Sequence, residues 1–423
     1  MSFEFFKIML NYENLRREDP LIFDAIMEEA RRQSNELEMI ASENYVSKAV
    51  LEAMGTVLTN KYSEGYPAKR YYGGNQVIDK VEQLAIDRAK ELFGAEHANV
   101  QPLSGSPANA AVYFALLKPG EKVLGLKLDH GGHLSHGHPV NFSGILYSFS
   151  QYEVDSGSGK IDMEKVREVA LKEKPRMIVA GFSAYSREIE WQRFQEIADE
   201  VGAYTFADIA HTAGLIVAGE MANPVPVFDV VATTTHKTLR GPRGAIIMCK
   251  EKFASKIDKA VFPGMQGGPH DHINAAKAVA FKEALEEDFK DYARQVIINA
   301  KTLAQEFVGN GYRVISGGTD NHLIVADMTS KDITGKEAEA VLEKIGISVS
   351  RSTIPNDPNP PMNPSGVRFG TPALTSRGMK EEEVRKIATW INEAIENKED
   401  EKKLKELKAK VQEFCFKFPV PSL

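Results

Sequence analysis

Cysteine is scarce in this sequence. Cys249 and Cys415 are the only two and stand far apart, which leaves no disulfide framework and no CxxC metal pair. That usage suits a reducing compartment such as the cytoplasm. Long apolar runs are also missing: no stretch of roughly 18 apolar residues occurs, so no helical membrane span is expected. Positive charge is not in excess, and a net charge of −7 argues against a surface built for nucleic-acid phosphates. The stretch MSFEFFKIML carries Glu4 and Lys7, with no longer apolar core or small-residue cleavage site after it, so a signal peptide is not expected. What is there is ordinary for a globular enzyme or binding protein. The 423 residues, 43% hydrophobic and 26% charged, allow about two or three domains and a core that needs no staples.

Asp19-Pro20 ahead of Ile22 and Ile26 reads as an arm followed by a helix. From about residue 80 helices alternate with short apolar strands. The helices are expected at 81–93, stopped by Gly94, and at 107–117, 163–173 and 194–201. The strands are expected at 98–100, 122–126, 177–180, 203–207, 228–234 and 245–249. Such alternation implies an α/β fold with a mostly parallel sheet covered on both faces. After about residue 285 the pattern changes. A long helix (289–307) stops at Gly309-Asn310-Gly311, strands follow at 312–315 and 322–328, and Thr334 with Glu337 has the form of a capping box. The segment IPNDPNPPMNPSG reads as a loop, and the charged tail from 396 to 410 as a surface helix packed by Leu404, Leu407 and Val411.

The sharpest chemical feature is TTTHKTLRGPRG. An apolar strand ends at His236-Lys237, where a lysine can act as an amine nucleophile for a Schiff base; a single lysine is otherwise usually a surface charge. Asp208 follows the preceding strand, about one helix-plus-strand repeat away. Ligands bind outside the carboxyl ends of parallel strands, so both side chains can reach one crevice. A pyridoxal cofactor requires such a pair: an amine for its aldehyde, and a carboxylate to keep its ring nitrogen protonated as an electron sink. LSGSPANAA offers Gly105 and Ser106 as a phosphate cradle, with Ser106 as the N-cap and Pro107 in the first turn; plain helix capping is the alternative.

FPGMQGGP, with Gly268, is a second place for bare backbone to approach a phosphate. HGGHLSHGH holds four imidazoles at spacings that fit no familiar helical zinc site. A metal, an imidazole stacked on a cofactor ring, and a satisfied loop histidine all remain open there. Ser158-Gly159-Lys160 resembles the end of a nucleotide P-loop, but Val154 stands where glycine is required, so it is a turn. Arg368 in GVRFGTP is suited to a substrate carboxylate. The aromatic and charged tract NKYSEGYPAKRYYGG reads as an interface or a nucleic-acid surface, and the overall acidity argues against the second.

The segments IASENY, LTNKYSEGYPAKRYYGG, ANVQPLSGS, HGGHLSHG, GFSAYS, ADIAHTAGL, TTTHKTLRGPRG, FPGMQGGP, SGGTDNHL and IPNDP, in this order between residues 36 and 372, closely resemble the serine hydroxymethyltransferase family. The resemblance implies an aminotransferase-like fold of the pyridoxal-phosphate fold type I. It implies an arm and helix over 1–35, a large cofactor-binding domain over 36–287 and a small C-terminal α/β domain over 288–423. It further implies a cytoplasmic homodimer with shared active sites, working in one-carbon metabolism and amino-acid biosynthesis, with no nucleic-acid or membrane partner.

By motif, Lys237 resembles the Schiff-base lysine and Asp208 the ring-nitrogen partner. His133 resembles the ring-stacking histidine, Ser183 and His211 the residues around the ring oxygen, and His236 the neighbour that tunes reaction choice. Gly105 and Ser106 resemble phosphate ligands, joined by Gly268 and Tyr62 from the second subunit. Arg368 and Ser42 resemble carboxylate and substrate contacts, and Glu64 and Tyr72 the groups handling the serine hydroxyl and folate. Leu128, Gly132, His133, Leu134, Asn356, Pro360, Pro361 and Met362 resemble folate and substrate contacts. Leu103, Pro107 and Met362 depart from residues common in the family, histidine, glutamine and phenylalanine respectively. The implied activity is reversible serine–glycine interconversion with tetrahydrofolate, through an external aldimine and retro-aldol cleavage. A folate-independent threonine aldolase and a non-catalytic binding protein on the same fold are the rivals. The second of these is expected to lack Lys237 or Arg368, and both are present.

Overall fold

A computed structural model describes residues 12–423. The segment MSFEFFKIML, on which the signal-peptide reading turns, lies outside the described residues.

The central sheet has seven strands. In spatial order they are His97–Asn99, Ala245–Cys249, Val230–Thr234, Tyr204–Asp208, Met177–Gly181, Lys122–Leu126 and Ser148–Tyr152. Only Ala245–Cys249 runs against its neighbours; the rest are parallel. The side-chain period of two explains the apolar runs. Val123, Met177, Val179, Phe206 and Val230 point into one core cluster, while Leu124, Ile178, Ala180, Ala207 and Val231 point into another. Because both faces are covered by helices, successive residues must all be apolar. Gly105–Leu116 covers one face; Gln76–Phe93, Met163–Glu173 and Trp191–Val201 cover the other.

A second sheet, entirely antiparallel, orders Arg313–Val314, Leu323–Asp327, Gly366–Gly370 and Ser350–Ser352. Its core also takes in Leu37 and Met39, next to the short strand Leu37–Glu38 that pairs with Ile347–Ser348. The helix Glu287–Gly309 joins the two cores. Its first half buries Phe289, Tyr292 and Val296 in one, and its second half buries Leu303 and Phe307 in the other. At about 1.5 Å per residue it is a strut of roughly 35 Å. Thr371 Oγ1, just beyond the strand that carries Arg368, donates to Val296 O at 2.8 Å on this strut.

Several expectations shift. The Thr334–Glu337 capping box is present, and Gly94 ends its helix in a left-handed conformation at φ 69°. The helix expected from Pro107 begins instead at Gly105, with Ser104 at the N-cap. Proline tolerates that place because the third amide of a helix has no acceptor within it. Ser106 is therefore not the cap. The expected apolar face of Pro20–Asn35 is turned outward, with Ile22 51% exposed and only Ala30 buried. Ser148–Tyr152, which carries two serines and a glutamine, is an edge strand that its composition conceals.

Candidate active site

Four strand ends meet the start of one helix at an edge of the large sheet. Asp208 ends one strand, Thr234 precedes the His236-Lys237 turn, Phe182 and Ser183 follow a third, and the loop after Leu126 brings in His133. These residues, with Ser104, Gly105, Ser106, Asn109, His211 and Arg243, line a cavity of about 240 Å3.

Asp208 is the fixed point. Its Oδ2 accepts from Asn109 Nδ2 at 2.8 Å and His136 Nε2 at 3.1 Å, and its Oδ1 accepts the Ala210 amide at 3.0 Å. His136 is oriented in turn by the Tyr113 hydroxyl, which faces Nδ1 at 2.7 Å and leaves the proton on Nε2 for the carboxylate. Burial pushes Asp208 towards protonation. The His136 hydrogen bond and the surrounding positive charge outweigh it and hold the carboxyl well below its usual range. Gly181 makes the pair possible, since a Cβ there would stand 2.7 Å from His136 Nε2. Sequence reasoning missed Asn109, and it left His136 among loop histidines open to a metal, a cofactor ring or simple satisfaction, without Asp208 as its partner. His133, His136 and Asp208 do offer ligand atoms within 4.8 Å of one another. Each is also engaged in hydrogen bonds, His133 Nδ1 lying 2.6 Å from Ser135 Oγ.

Lys237 faces this carboxylate from the next strand. Burial lowers its pKa to about 8; the Asp208 charge opposes that shift, and Arg368 and Arg243 add to it. About a tenth of the amine is thus unprotonated at pH 7, far more than for an ordinary lysine, as a nucleophile requires. Its backbone is clamped. Asn44 Nδ2 donates to Lys237 O at 3.0 Å, the Tyr292 hydroxyl donates to Thr238 O at 3.2 Å, and Arg240, at φ 59°, lies over the Tyr292 ring.

The helix start beside them carries unused donors. Among the described residues the Gly105 and Ser106 amides reach no protein acceptor, while the Ala108 amide returns to Ser104 O at 3.0 Å. A Cβ on Gly105 would lie 2.8 Å from Thr234 Cγ2, so only glycine lets this turn close on the lysine-bearing strand. Free amides at a helix N-terminus, an ionised carboxylate and an amine thus line one cavity, the donor set that pyridoxal 5'-phosphate requires.

Arg368 arrives from the second sheet. Its Nη1 donates to Ser183 O at 2.6 Å and its Nε to Ser350 Oγ at 3.3 Å, and no carboxylate among the described residues pairs with it. Burial lowers its pKa to about 10, which still leaves a cation awaiting an anion. The imidazoles around it are held neutral, chiefly by burial: His133 near 4, His236 and His322 near 3, and His211 well below the ordinary value. His211 stacks on His322 with ring centres 5.3 Å apart, and Nδ1 of His236 is buried without a partner.

Other expected site residues stand outside this cavity. Tyr62 and Tyr72 pack edge to face at 5.3 Å, and Gly268 lies under the Tyr62 ring. The Glu64 carboxylate lies against Gly267 and raises the Tyr62 pKa. Tyr62 and Tyr72 are 57% and 51% exposed. None of these four residues lines the cavity of its own chain. Ser42 is half-buried beside Ala41, which packs on Gly370. Leu128 and Leu134 are exposed; Gly132 is pressed onto Leu126 O. Asn356, at φ 56°, faces His130 from the proline-rich loop, and Pro360, Pro361 and Met362 are exposed on that loop. Leu103 and Pro107, the other two departures, do not line the cavity.

The family model described as serine hydroxymethyltransferase matches residues 15–391. Curated serine hydroxymethyltransferases from Acinetobacter baumannii strains AYE and ACICU are 57% identical to this chain over 404 residues, covering 95% of it and 97% of each relative.

The acidity of Lys237 can be read in the cofactor-free chain by trapping pyridoxal with borohydride across pH. Labelling at Lys237 is expected to rise through a pH of about 8, not through the ordinary lysine value of 10.5. Asp208→Asn removes the charge that favours the ammonium, so its profile moves to lower pH. A midpoint at the ordinary value, or one that Asp208→Asn moves upward, contradicts this electrostatic picture.

Proposed function

The chain belongs to the serine hydroxymethyltransferase family, and on that premise we propose which of its residues carry the family reaction and how the chain assembles. The activity is the reversible interconversion of serine and glycine with tetrahydrofolate as one-carbon acceptor, and the enzyme is a pyridoxal-phosphate-dependent transferase. No helix of the described residues is long and apolar enough to cross a membrane; the cytoplasm is the proposed location.

Pyridoxal 5'-phosphate, when bound, supplies an aldehyde that condenses with amines and a pyridinium that accepts the electron pair from the α-carbon. The observation that supports the residue roles is the meeting of Lys237, Asp208 and the unused helix amides in one cavity. Lys237 would provide the amine that holds the cofactor's aldehyde. Asp208 keeps the proton on the ring nitrogen. Gly105 and Ser106 would hold the phosphate, and His133, Ser183 and His211 would bind around the ring. His236 tunes reaction choice beside Lys237.

Arg368 takes the substrate carboxylate, with Ser42 as a further substrate contact. This orients serine and cancels the buried positive charge. Its charge-assisted bonds are each worth about 1.5–3 kcal/mol. Glu64 moves the proton at the serine hydroxyl and at folate, with Tyr72 beside it. Leu128, Gly132 and Leu134 with Asn356, Pro360, Pro361 and Met362 line the folate path, where Met362 offers a flexible thioether in place of an aromatic ring. The division proposed is an arm over 1–35, a large domain over 36–287 and a small one over 288–423.

Glu64, Tyr62, Tyr72 and Gly268 cluster on an exposed face and do not line the cavity of their own chain. The proposed assembly is therefore a homodimer in which they complete the partner's site. The outward apolar residues Tyr62, Tyr71 and Phe114, from 55 to 74% exposed, suit such burial.

Two experiments bear on this. Glu64→Gln is expected to cripple folate-dependent turnover while sparing most folate-independent cleavage of β-phenylserine-like substrates; equal losses refute the proton role. Mixing unfolded and refolded Lys237→Ala with Glu64→Gln should then restore about a quarter of wild-type folate-dependent activity, because half the dimers are hybrid and each hybrid has one intact site. No recovery despite hybrid formation contradicts shared sites.

A further inference from the structure

Behind the helix start lies a buried amine, its pKa lowered by burial to about 7, that none of the assigned roles uses. Lys277, on Asp271–Ala284, is 1% exposed. Its Nζ reaches Val100 O at 2.5 Å, Ala245 O at 3.0 Å, Pro102 O at 3.2 Å and Asn274 Oδ1 at 3.3 Å. No carboxylate within ion-pair distance balances it among the described residues. Glu82, the acid whose charge acts on it, is itself bound to Arg70 at 2.7 Å. Burying a polar amine, charged or neutral, is expensive, and an apolar side chain of similar length would fill the space more cheaply. What the amine adds is a junction.

Its acceptors belong to two segments. Val100 and Pro102 lead directly into Ser104–Ser106, the proposed phosphate turn. Ala245 is the first residue of the strand returning from the Lys237 loop. The two segments also touch each other, the Ala245 amide donating to Pro102 O at 3.2 Å. The Lys277 stem passes so close to Gly244 that a Cβ there would stand 2.6 Å from Cε. Gly244 O in turn accepts the Thr235 amide at 3.0 Å, two residues before Lys237. Both the turn and the lysine loop are thus referenced to one nitrogen atom.

We propose that Lys277 is a positioning residue for the cofactor's phosphate: by bonding the two segments at once, it sets the separation between the Gly105–Ser106 amides and the Lys237 amine. The inference rests on the roles proposed above for those three residues. Loss of the Lys277 nitrogen lets the turn drift relative to the Lys237 amine, which penalises a ligand anchored at both ends and spares one anchored only at its aldehyde and ring.

Full-length Lys277→Met and the parent, both stripped of cofactor, are to be titrated with pyridoxal 5'-phosphate and, separately, with pyridoxal, which lacks the phosphate; visible absorbance reports binding. Lys277→Met is expected to weaken pyridoxal 5'-phosphate by about tenfold or more and pyridoxal by less than about twofold. An equal loss for both ligands, or none for either, overturns the proposal. If Lys277→Met does not fold, Lys277→Gln, which keeps an amide donor without the reach, makes the same comparison. Borohydride trapping in the parent separates the two layers. Label away from Lys237 defeats the site assignment itself, whereas label on Lys237 with an unchanged ligand ratio defeats only the role of Lys277.

Discussion

Everything at the cavity depends on one buried carboxylate remaining ionised. Asp208 lies where burial alone would protonate it, and it is held charged by three donors supplied from three places: the Asn109 amide on the covering helix, the His136 ring on a loop, and its own chain's Ala210 amide. Two of these donors are themselves anchored, His136 by Tyr113 and Asn109 by a second bond to Ser135 at 2.8 Å. The carboxylate then acts on its surroundings. It moderates the lowering of the Lys237 pKa, and it sits on the cavity wall among histidines kept neutral by the same burial. Fixed charge in a dry site acts far more strongly than in water, and it need not reorganise during reaction.

The fold delivers these groups because parallel strands all end on one side. Asp208 and Lys237 come from adjacent strands, so their spacing is set by the sheet ladder. Arg368 comes from a separate sheet, and its position is less strictly given. The strut Glu287–Gly309, the Thr371 bond to it, and Arg368's own bond to Ser183 O fix it across the gap. Asn44 ties the arm side to both Lys237 O and the Tyr292 hydroxyl. Glu64 and its tyrosine neighbours belong to a rigid hairpin instead, where Arg70 bonds Glu82, Asp79 and the carbonyls of Ser63 and Gly65. That hairpin is ordered yet faces outward, which is why a second copy is invoked.

How far the sequence revealed this depended on where the physics is local. Asp208 and Lys237 were legible because VVATTT and AYTFA are uncharged runs rich in apolar and β-branched residues, and a side chain just past the end of a buried strand must lie at its rim. The helix Met163–Glu173 was legible because Asp162 accepts the Glu164 amide in a local bond. Ser104 was passed over as the N-cap because its side chain makes no capping bond, whereas Ser106-Pro107 mimics a cap. Asn109, His136 and Lys277 were not legible as a supporting frame. Their partners lie at Asp208, and at Val100 and Ala245, far off in sequence, and nothing in a one-dimensional pattern marks a polar residue as satisfied by a distant one. Ile22 and Ile26 show the opposite failure: an apolar spacing was visible, but not that it would face outward.

The most direct measurement is the protonation state of the bound cofactor's ring nitrogen, read by 15N NMR with labelled pyridoxal 5'-phosphate on the parent and on Asp208→Asn. A protonated nitrogen in the parent at neutral pH, lost in a folded, cofactor-loaded Asp208→Asn, is the expected result. A nitrogen equally protonated in both proteins contradicts the central place given to that carboxylate.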